Sequence, residues 1–460
     1  MALVAGVDSS TSGCKVEVRD ADTGELVSSG RATHPSTTPP RSEQHPQDWW
    51  RAFETAAGAA GVFGEHRPDA ISVAGQQHGL AVLDQQGGVR RPAKLWNDTE
   101  SAADAAALVA ELGAEHWARA CGSVPVPSFT ITKLRWLASN EPDVFARTAR
   151  VLLPHDWLTH RLTGGHTTDR GDASGTGWWS PAEGRYRTDL LALVDPDRDW
   201  SEMLPKVLGP TDVAGMWGDG ADAPAADGIG RTLAPALVAP GTGDNMAAAL
   251  GLGLAPGDLA LSFGTSGTAF AVSDAPAADP TGTIAGFADA TGRFLPLVCT
   301  LNATKVTDAI ARLLGVDPTG LDALALAAPA GAGGLVLVPH LDGERTPNRP
   351  GATGLLAGAD HLPVDPAGRL LLVGGGARST AYQQVAADLL GRPVVIPDED
   401  ELVARGAALQ AAAVLTGRPF ADLAQAWAVD RGRVVEPDPT VDAAAIRTAH
   451  ADAAQEAARR

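Results

Sequence analysis

The sequence predicts an α/β protein whose two similar halves face each other across a cleft. Three observations lead there. The chain has 460 residues, 44% of them hydrophobic, more than a single core organises, so two domains are expected. Strand-like and helix-like periodicities alternate along it. A strand, a Gly/Ser/Thr turn and a second strand also occur near the start of each half, as "VAGVDSSTSGCKVEV" (4–18) and "GDLALSFGTSGTAFAV" (257–272).

The apolar run 3–7 ends at Asp8. Lys15 to Arg19 then alternates polar and apolar, and a turn over Asp22–Gly24 leads to a third strand at Leu26, so a β-meander is expected. From Pro46 to Gly61, Trp49, Trp50, Phe53, Ala56 and Ala57 recur at helical spacing behind Asp48. "AISVAG" (70–75) and "AVLD" read as strands, and helical patterns dominate from Glu100 to about Leu162. The Gly/Ala/Asp/Pro-rich stretch from Gly215 to Gly230 reads as a loop. "NMAAALGLGLAPG" offers a short helix and a hinge near residues 245 to 255, dividing the chain into domains 1–245 and 246–460.

The formal net charge of −19 and the lack of any Lys/Arg run argue against nucleic acid as a partner. No basic-then-apolar leader and no stretch of about 18 apolar residues is seen, so a cytoplasmic protein without membrane contact is expected. Cys14, Cys121 and Cys299 have no metal-like spacing and read as core fillers.

A Gly/Ser/Thr turn at a strand end presents backbone N–H groups without side-chain bulk, a concavity suited to phosphate oxygens. Either turn alone is equally readable as an ordinary hairpin. No P-loop or dinucleotide fingerprint is present. "LLLVGGGARS" (370–379) adds a strand, three glycines and a helix start, where a flat or anionic ligand could approach the backbone. Asp244 and Asn245 precede an Ala-rich helical run; either could cap it, or a cleft-facing carboxylate could take a proton from an attacking hydroxyl. His78 in "GQQHGL" and Trp96, Asn97 and Asp98 in "LWND" suit a polyol, with a satisfied structural histidine as the alternative for His78. Glu344 and Arg345 in "LDGERTP" read as a surface ion pair.

Taken together, "GVDSSTSGCK", "GQQHG", "RPAKLWND", "LLPHDWLTHRLTG", "TTDRGDASGTGWW", "GTGDNMAAALG", "LSFGTSG", "LDGERTP" and "LVGGGARS" resemble the FGGY sugar kinases in content and order along nearly the whole chain, and most closely their xylulose-specific branch. The resemblance implies two ribonuclease-H-like, actin-like ATPase domains, the first holding sugar and the second nucleotide. It also implies ATP-dependent phosphorylation of a pentulose, D-xylulose, at its 5-hydroxyl. Carried over by position, Asp244 is the general base and Asp8 a catalytic residue and Mg²⁺ ligand beside the γ-phosphate. Thr11, Ser12, Gly13, Lys15, Gly264, Thr265 and Ser266 would hold phosphates, and Gly375, Gly376, Ala377 and Arg378 would border the adenosine. Gln77, His78, Trp96, Asp98 and Asn245 would contact the sugar.

Two departures from the family pattern stand out. Ser9-Ser10 occupies a turn where many members carry glycine. Between about 355 and 370 an amphipathic helix of similar kinases is missing, so either the flanking strands are not parallel neighbours or the second domain exposes part of its core. Alternatives to a xylulose kinase are a ribulose, gluconate or glycerol kinase of the same family, a non-catalytic actin-like nucleotide-binding protein, or an inactive relative that binds pentulose. The Ala-rich C-terminal run could dock on its own domain or on a neighbour, which leaves a homodimer open.

Overall fold

The computed structural model describes residues 1–217, 235–337 and 367–459. The expected meander is present as β1 (Leu3–Ser9), β2 (Gly13–Asp20) and β3 (Leu26–Thr33), paired antiparallel in sequence order. Helix α1 (Pro46–Ala59) begins on a proline, whose missing N–H is not needed in a first turn. Its stripe of Trp49, Trp50, Phe53, Ala56 and Ala57 is buried and packs on β2 and β3. Every residue of β4 (Ala70–Gly75) is buried, as an uninterrupted apolar strand lying parallel to β1 should be.

Helices α2 (Pro154–Thr163) and α3 (Arg170–Ser174) lead to β5 (Gly215–Trp217), β6 (Ala236–Val238) and β7 (Thr242–Gly243). The first sheet has the order β5-β6-β4-β1-β2-β3, with β7 running on beside the end of β4.

Helix α4 (Asp244–Gly251) precedes the second sheet. That sheet is built from β8 (Leu259–Phe263), β9 (Gly267–Ala271), β10 (Ala285–Ala288) and β11 (Phe294–Thr300). After α5 (Thr304–Leu314) and α6 (Pro318–Ala327) come β12 (Leu370–Val373), α7 (Thr380–Leu390), β13 (Val394–Pro397), α8 (Leu402–Thr416) and β14 (Gly432–Val435). The order is β10-β11-β9-β8-β12-β13-β14. The repeat seen in the sequence is a repeat of topology: β1 lies between antiparallel β2 and parallel β4, and β8 between antiparallel β9 and parallel β12.

Helix α8 joins the halves. Its alanines, from Ala404 to Ala413, are buried against β1, β4 and α4. A Cβ on Gly6 would lie 1.9 Å from the Ala404 carbonyl oxygen, and one on Gly406 1.9 Å from that of Ala247, so these backbones touch directly. Ser72 Oγ donates to Gln410 Oε1 at 2.6 Å across the same contact.

Three expectations change. Gly215–Trp217 is a strand and not loop, because it finds a partner in Ala236–Val238; the rest of that stretch lies outside the described residues. The helical region 100–162 is interrupted by a strand, Arg150–Leu152, which pairs with Ala81–Leu83. Neither Asp244 nor Asn245 caps α4: the cap position is Gly243, and Asp244 is the first helical residue. In the second half β12 is parallel to both neighbours, while α5 buries only Ala311 and α6 buries nothing. Leu313 and Leu324 are 80% and 51% exposed, so these two helices present apolar side chains outward. The stretch 355–366 and "LDGERTP" lie outside the described residues.

Candidate active site

Both Gly/Ser/Thr turns close at the ends of the central strands β1 and β8, where α/β sheets place their ligands. In the first, Ser10 N donates to Gly13 O at 2.9 Å; in the second, Gly264 N donates to Ser266 O at the same length. The backbone N–H groups of Thr11, Ser12, Thr265 and Ser266 meet no acceptor among the described residues, leaving donors for an anion. Ser10, the departure from glycine, spends its hydroxyl on Gly13 O at 3.1 Å, so the turn accommodates it.

Asp8 stands on β1 just before this turn, and its Oδ1 is buried without a hydrogen-bond partner. Burial, then the charges of Asp244 and Glu401, raise its pKa to about 7 against the opposing pull of Lys15. Lys15, opposite Asp8 across the hairpin, ion-pairs with Glu17 and Glu401 at 2.9 Å each. Two carboxylates thus hold its ammonium beside the first turn.

Asp244 Oδ1 accepts from Asn245 N at 2.8 Å and from Asn245 Nδ2 at 2.9 Å. Burial raises the Asp244 pKa to about 6, and these two bonds limit the rise. Asn245 Nδ2 also donates to Gln77 Oε1 at 3.0 Å, which leaves buried Gln77 Nε2 without an acceptor. Base candidate and sugar loop thus form one hydrogen-bonded unit. Thr268 Oγ1 on β9 reaches Asn245 Oδ1 at 3.5 Å from the second half.

His78 has φ of 64°, a conformation costly for a non-glycine residue. Its Nδ1 bonds to Gly175 O at 2.8 Å, and its ring stacks on Phe129 at 4.9 Å. Trp96 Nε1 donates to Thr11 Oγ1 at 2.8 Å, which in turn donates to Gln76 Oε1 at 3.1 Å, tying the "LWND" segment to the first turn. Asn97 Oδ1 is buried and unpartnered beside it in the chain. Asp98 differs from the expected sugar contact. It is fully buried, with its oxygens taken by Ser42 N, Glu100 N and Lys94 Nζ at 2.9, 3.1 and 3.2 Å. Asp98 thus buttresses the loop that carries Trp96 and Asn97.

Gly375–Arg378 form a 3₁₀ turn before α7, and Ser379 caps that helix by accepting from Tyr382 N at 3.0 Å. A Cβ on Gly376 would lie 2.8 Å from Phe263 Cβ, so the turn abuts the second Gly/Ser/Thr turn. At Gly375 the Cβ direction meets open space. Ala377 is buried under this turn, and Arg378 is solvent-exposed, paired with Asp400 at 2.8 Å.

The FGGY N-terminal domain of carbohydrate kinases matches residues 3–251, and the FGGY C-terminal domain matches residues 359–415. The chain belongs to the FGGY family of carbohydrate kinases. It is 47% identical over 463 aligned residues to a xylulose kinase of Streptomyces coelicolor, covering 94% of this chain and 92% of the relative. It is 31% identical to the xylulose kinase of Haemophilus influenzae over 89% and 90% of the two chains. Among solved structures, the xylulose kinase of Bifidobacterium adolescentis superposes with a TM-score of 0.81 at 41% identity, covering 98% and 99%. The Plasmodium falciparum glycerol kinase, at 16% identity and TM-score 0.84, shares the fold.

Sequence reading of this FGGY kinase missed several residues that the fold brings to the site. Gln76 and Thr268 belong to segments already singled out, but only the pairing shows which way they point. Glu401 comes from 386 positions away in sequence to hold Lys15. His155 and Asp169 sat inside quoted motifs as unremarked polar residues, although a charge within an apolar run such as "LLPHDWL" is itself a signal. Among the described residues, no helix is long and apolar enough to cross a membrane.

Proposed function

We propose that this kinase transfers the γ-phosphoryl group of ATP to the 5-hydroxyl of D-xylulose, with Asp244 as general base. Residues 1–245 hold the sugar and residues 246–460 the nucleotide, and the kinase works in the cytoplasm. The observation that carries the reading is the Asp244–Asn245–Gln77 unit, a carboxylate tuned to about 6 and bonded to a loop with an unsatisfied amide donor. The xylulose kinases among its relatives support the choice of sugar.

In the transfer the sugar oxygen forms a bond to phosphorus, the bond to the β-phosphate oxygen breaks, and the hydroxyl proton passes to Asp244. A base with pKa near 6 is largely ionised at neutral pH yet basic enough to accept that proton. Gln77 Nε2 and the His78 loop orient the pentulose, and the free N–H groups of the two turns bind phosphate oxygens.

The unpartnered Asp8 Oδ1 fits a hard divalent cation such as Mg²⁺, because a buried carboxylate raised by a neighbouring carboxylate gains from a cation. When bound, Mg²⁺ would neutralise phosphate charge. Asp8 is the residue that would hold it, while the Lys15 ammonium is paired with Glu17 and Glu401.

Coupled ADP release measured with D-xylulose, ribulose, gluconate and glycerol tests the assignment. Turnover preferring xylulose, reduced about 10²-fold or more by Asp244→Asn, is expected. A preference for another substrate overturns the sugar, and an Asp244→Asn enzyme within about tenfold of the parent overturns the base.

A further inference from the structure

Behind the site lies a buried charge cluster that the transfer chemistry leaves unused. His155, in the first turn of α2, is completely buried, as are Asp156 and Asp172, and Asp169 is nearly so. The His155 Nδ1 lies 2.6 Å from Asp172 Oδ2, and its Nε2 3.2 Å from Asp156 Oδ1 and 3.9 Å from Asp169 Oδ1. Burial works against a charge on this imidazole, but the three surrounding carboxylates outweigh it and raise its pKa to about 10. Three dry carboxylates with no cation among them would repel one another or take up protons. The imidazolium offsets this in part: it pulls the Asp156 and Asp172 carboxyls down, while burial still holds both above their ordinary range, Asp172 at about 7.

The cluster reaches the active site by two short routes. Asp169 Oδ2 accepts from Thr242 Oγ1 at 2.7 Å, and Thr242 with Gly243 forms β7, the strand that ends at Asp244. The His155 ring also backs that strand: a Cβ on Gly241 would lie 2.6 Å from His155 Cδ2. At Gly75, where β4 runs into the Gln77–His78 loop, an added Cβ would meet His155 N at 3.0 Å. On the far side, Asp172 belongs to α3, whose next residue, Gly175, gives His78 its carbonyl partner.

We propose that His155 is a positioning residue for phosphoryl transfer: its imidazole gathers Asp156, Asp169 and Asp172 behind the site and, through the Asp169–Thr242 hydrogen bond, fixes the strand that delivers Asp244. The inference rests on Asp244 being the base. Asp169 itself stays bonded to the N–H groups of Gly171 and Asp172 at 2.8 and 2.9 Å, but loss of the imidazole leaves it in the uncompensated field of Asp156 and Asp172 and removes the ring that backs Gly241, so the strand shifts and carries the Asp244 carboxylate away from the hydroxyl it must deprotonate. Such displacement costs rate more than affinity, because alignment matters most in the transition state.

The test uses the full chain and three variants, His155→Asn, Thr242→Val and Asp244→Asn, with each of the first two also combined with the third. His155→Asn keeps a donor near Asp172 without the charge, and Thr242→Val removes only the hydroxyl that Asp169 accepts. Steady-state kcat and the KM values for ATP and D-xylulose are measured on protein whose folded fraction is fixed by circular dichroism. Expected is a fall in kcat of about tenfold or more in each single variant, with KM for ATP within about twofold of the parent. In the Asp244→Asn background either change should lower the residual rate by less than about twofold, since residues acting through one group are not additive. Unchanged kcat per folded molecule in Thr242→Val, or a full additional loss on top of Asp244→Asn, overturns the positioning role. Should His155→Asn fail to fold, Thr242→Val decides the question alone. High residual turnover of Asp244→Asn by itself would instead refute the base assignment, a result distinct from either.

Discussion

Replacing Asp244 by asparagine should make the protein more stable at alkaline pH while removing its activity. The carboxyl's ordinary value of 3.8 is raised by burial to about 6 in the folded chain, so the folded state binds the proton more tightly than the unfolded one. For an acid shifted upward, that advantage is complete below the unfolded value. It is lost as pH rises through about 6, and above that the ionised, buried Asp244 opposes folding. The rise corresponds to at most about 3 kcal/mol, at 1.36 kcal/mol per pH unit. Asparagine keeps an oxygen to accept the two Asn245 bonds and carries no charge, so it escapes this cost. Urea midpoints of parent and Asp244→Asn should be close at about pH 3.5 and diverge up to about pH 7, with the variant more stable, in the absence of nucleotide and metal. A gap that is absent, or widest at low pH, would show that Asp244 is not a strained, buried carboxylate.

The same value predicts an acidic limb in the kcat/KM–pH profile with a midpoint near 6, falling about tenfold per pH unit below it; a flat profile between pH 5 and 7 excludes Asp244 as base. Lys94 is fully buried with Glu43, Asp98 and Glu100 around its ammonium, so Lys94→Met should cost about 3–5 kcal/mol in denaturant titrations by leaving those carboxylates uncompensated. Leu372, fully buried on β12, should cost about 2–5 kcal/mol when changed to alanine, whereas Leu313→Gln on the open face of α5 should move the same curves by less than about 0.5 kcal/mol. Comparable losses at both leucines would mean that the α5 face is covered in solution.

Much of the first half was legible because its signals are local. The alternation from Lys15 to Arg19, the Trp49–Ala57 stripe and the all-apolar 70–75 run each match one period, and each became the element that period demands. The repeated turn was legible because two copies sit at the ends of equivalent strands. What sequence could not supply is partnership at a distance. Three residues, Gly215 to Trp217, are too few for periodicity and become a strand only beside Ala236–Val238. The Lys15–Glu401 pair joins residues from the two halves, and Asp98 looks like a sugar ligand until Ser42 and Lys94 claim it. Residue type announces the chemistry a side chain can do, but only its neighbours decide whether it is free to do it.

Where α8 crosses α4, main chain rests on main chain, with Gly406 against Ala247 and Gly251 against Leu402. Even a methyl group added at either glycine would wedge the two helices apart, so the closeness of the lobes at this crossing depends on two residues without side chains. One of the two helices begins at Asp244, so the same crossing sets how far the proton acceptor stands from the second lobe.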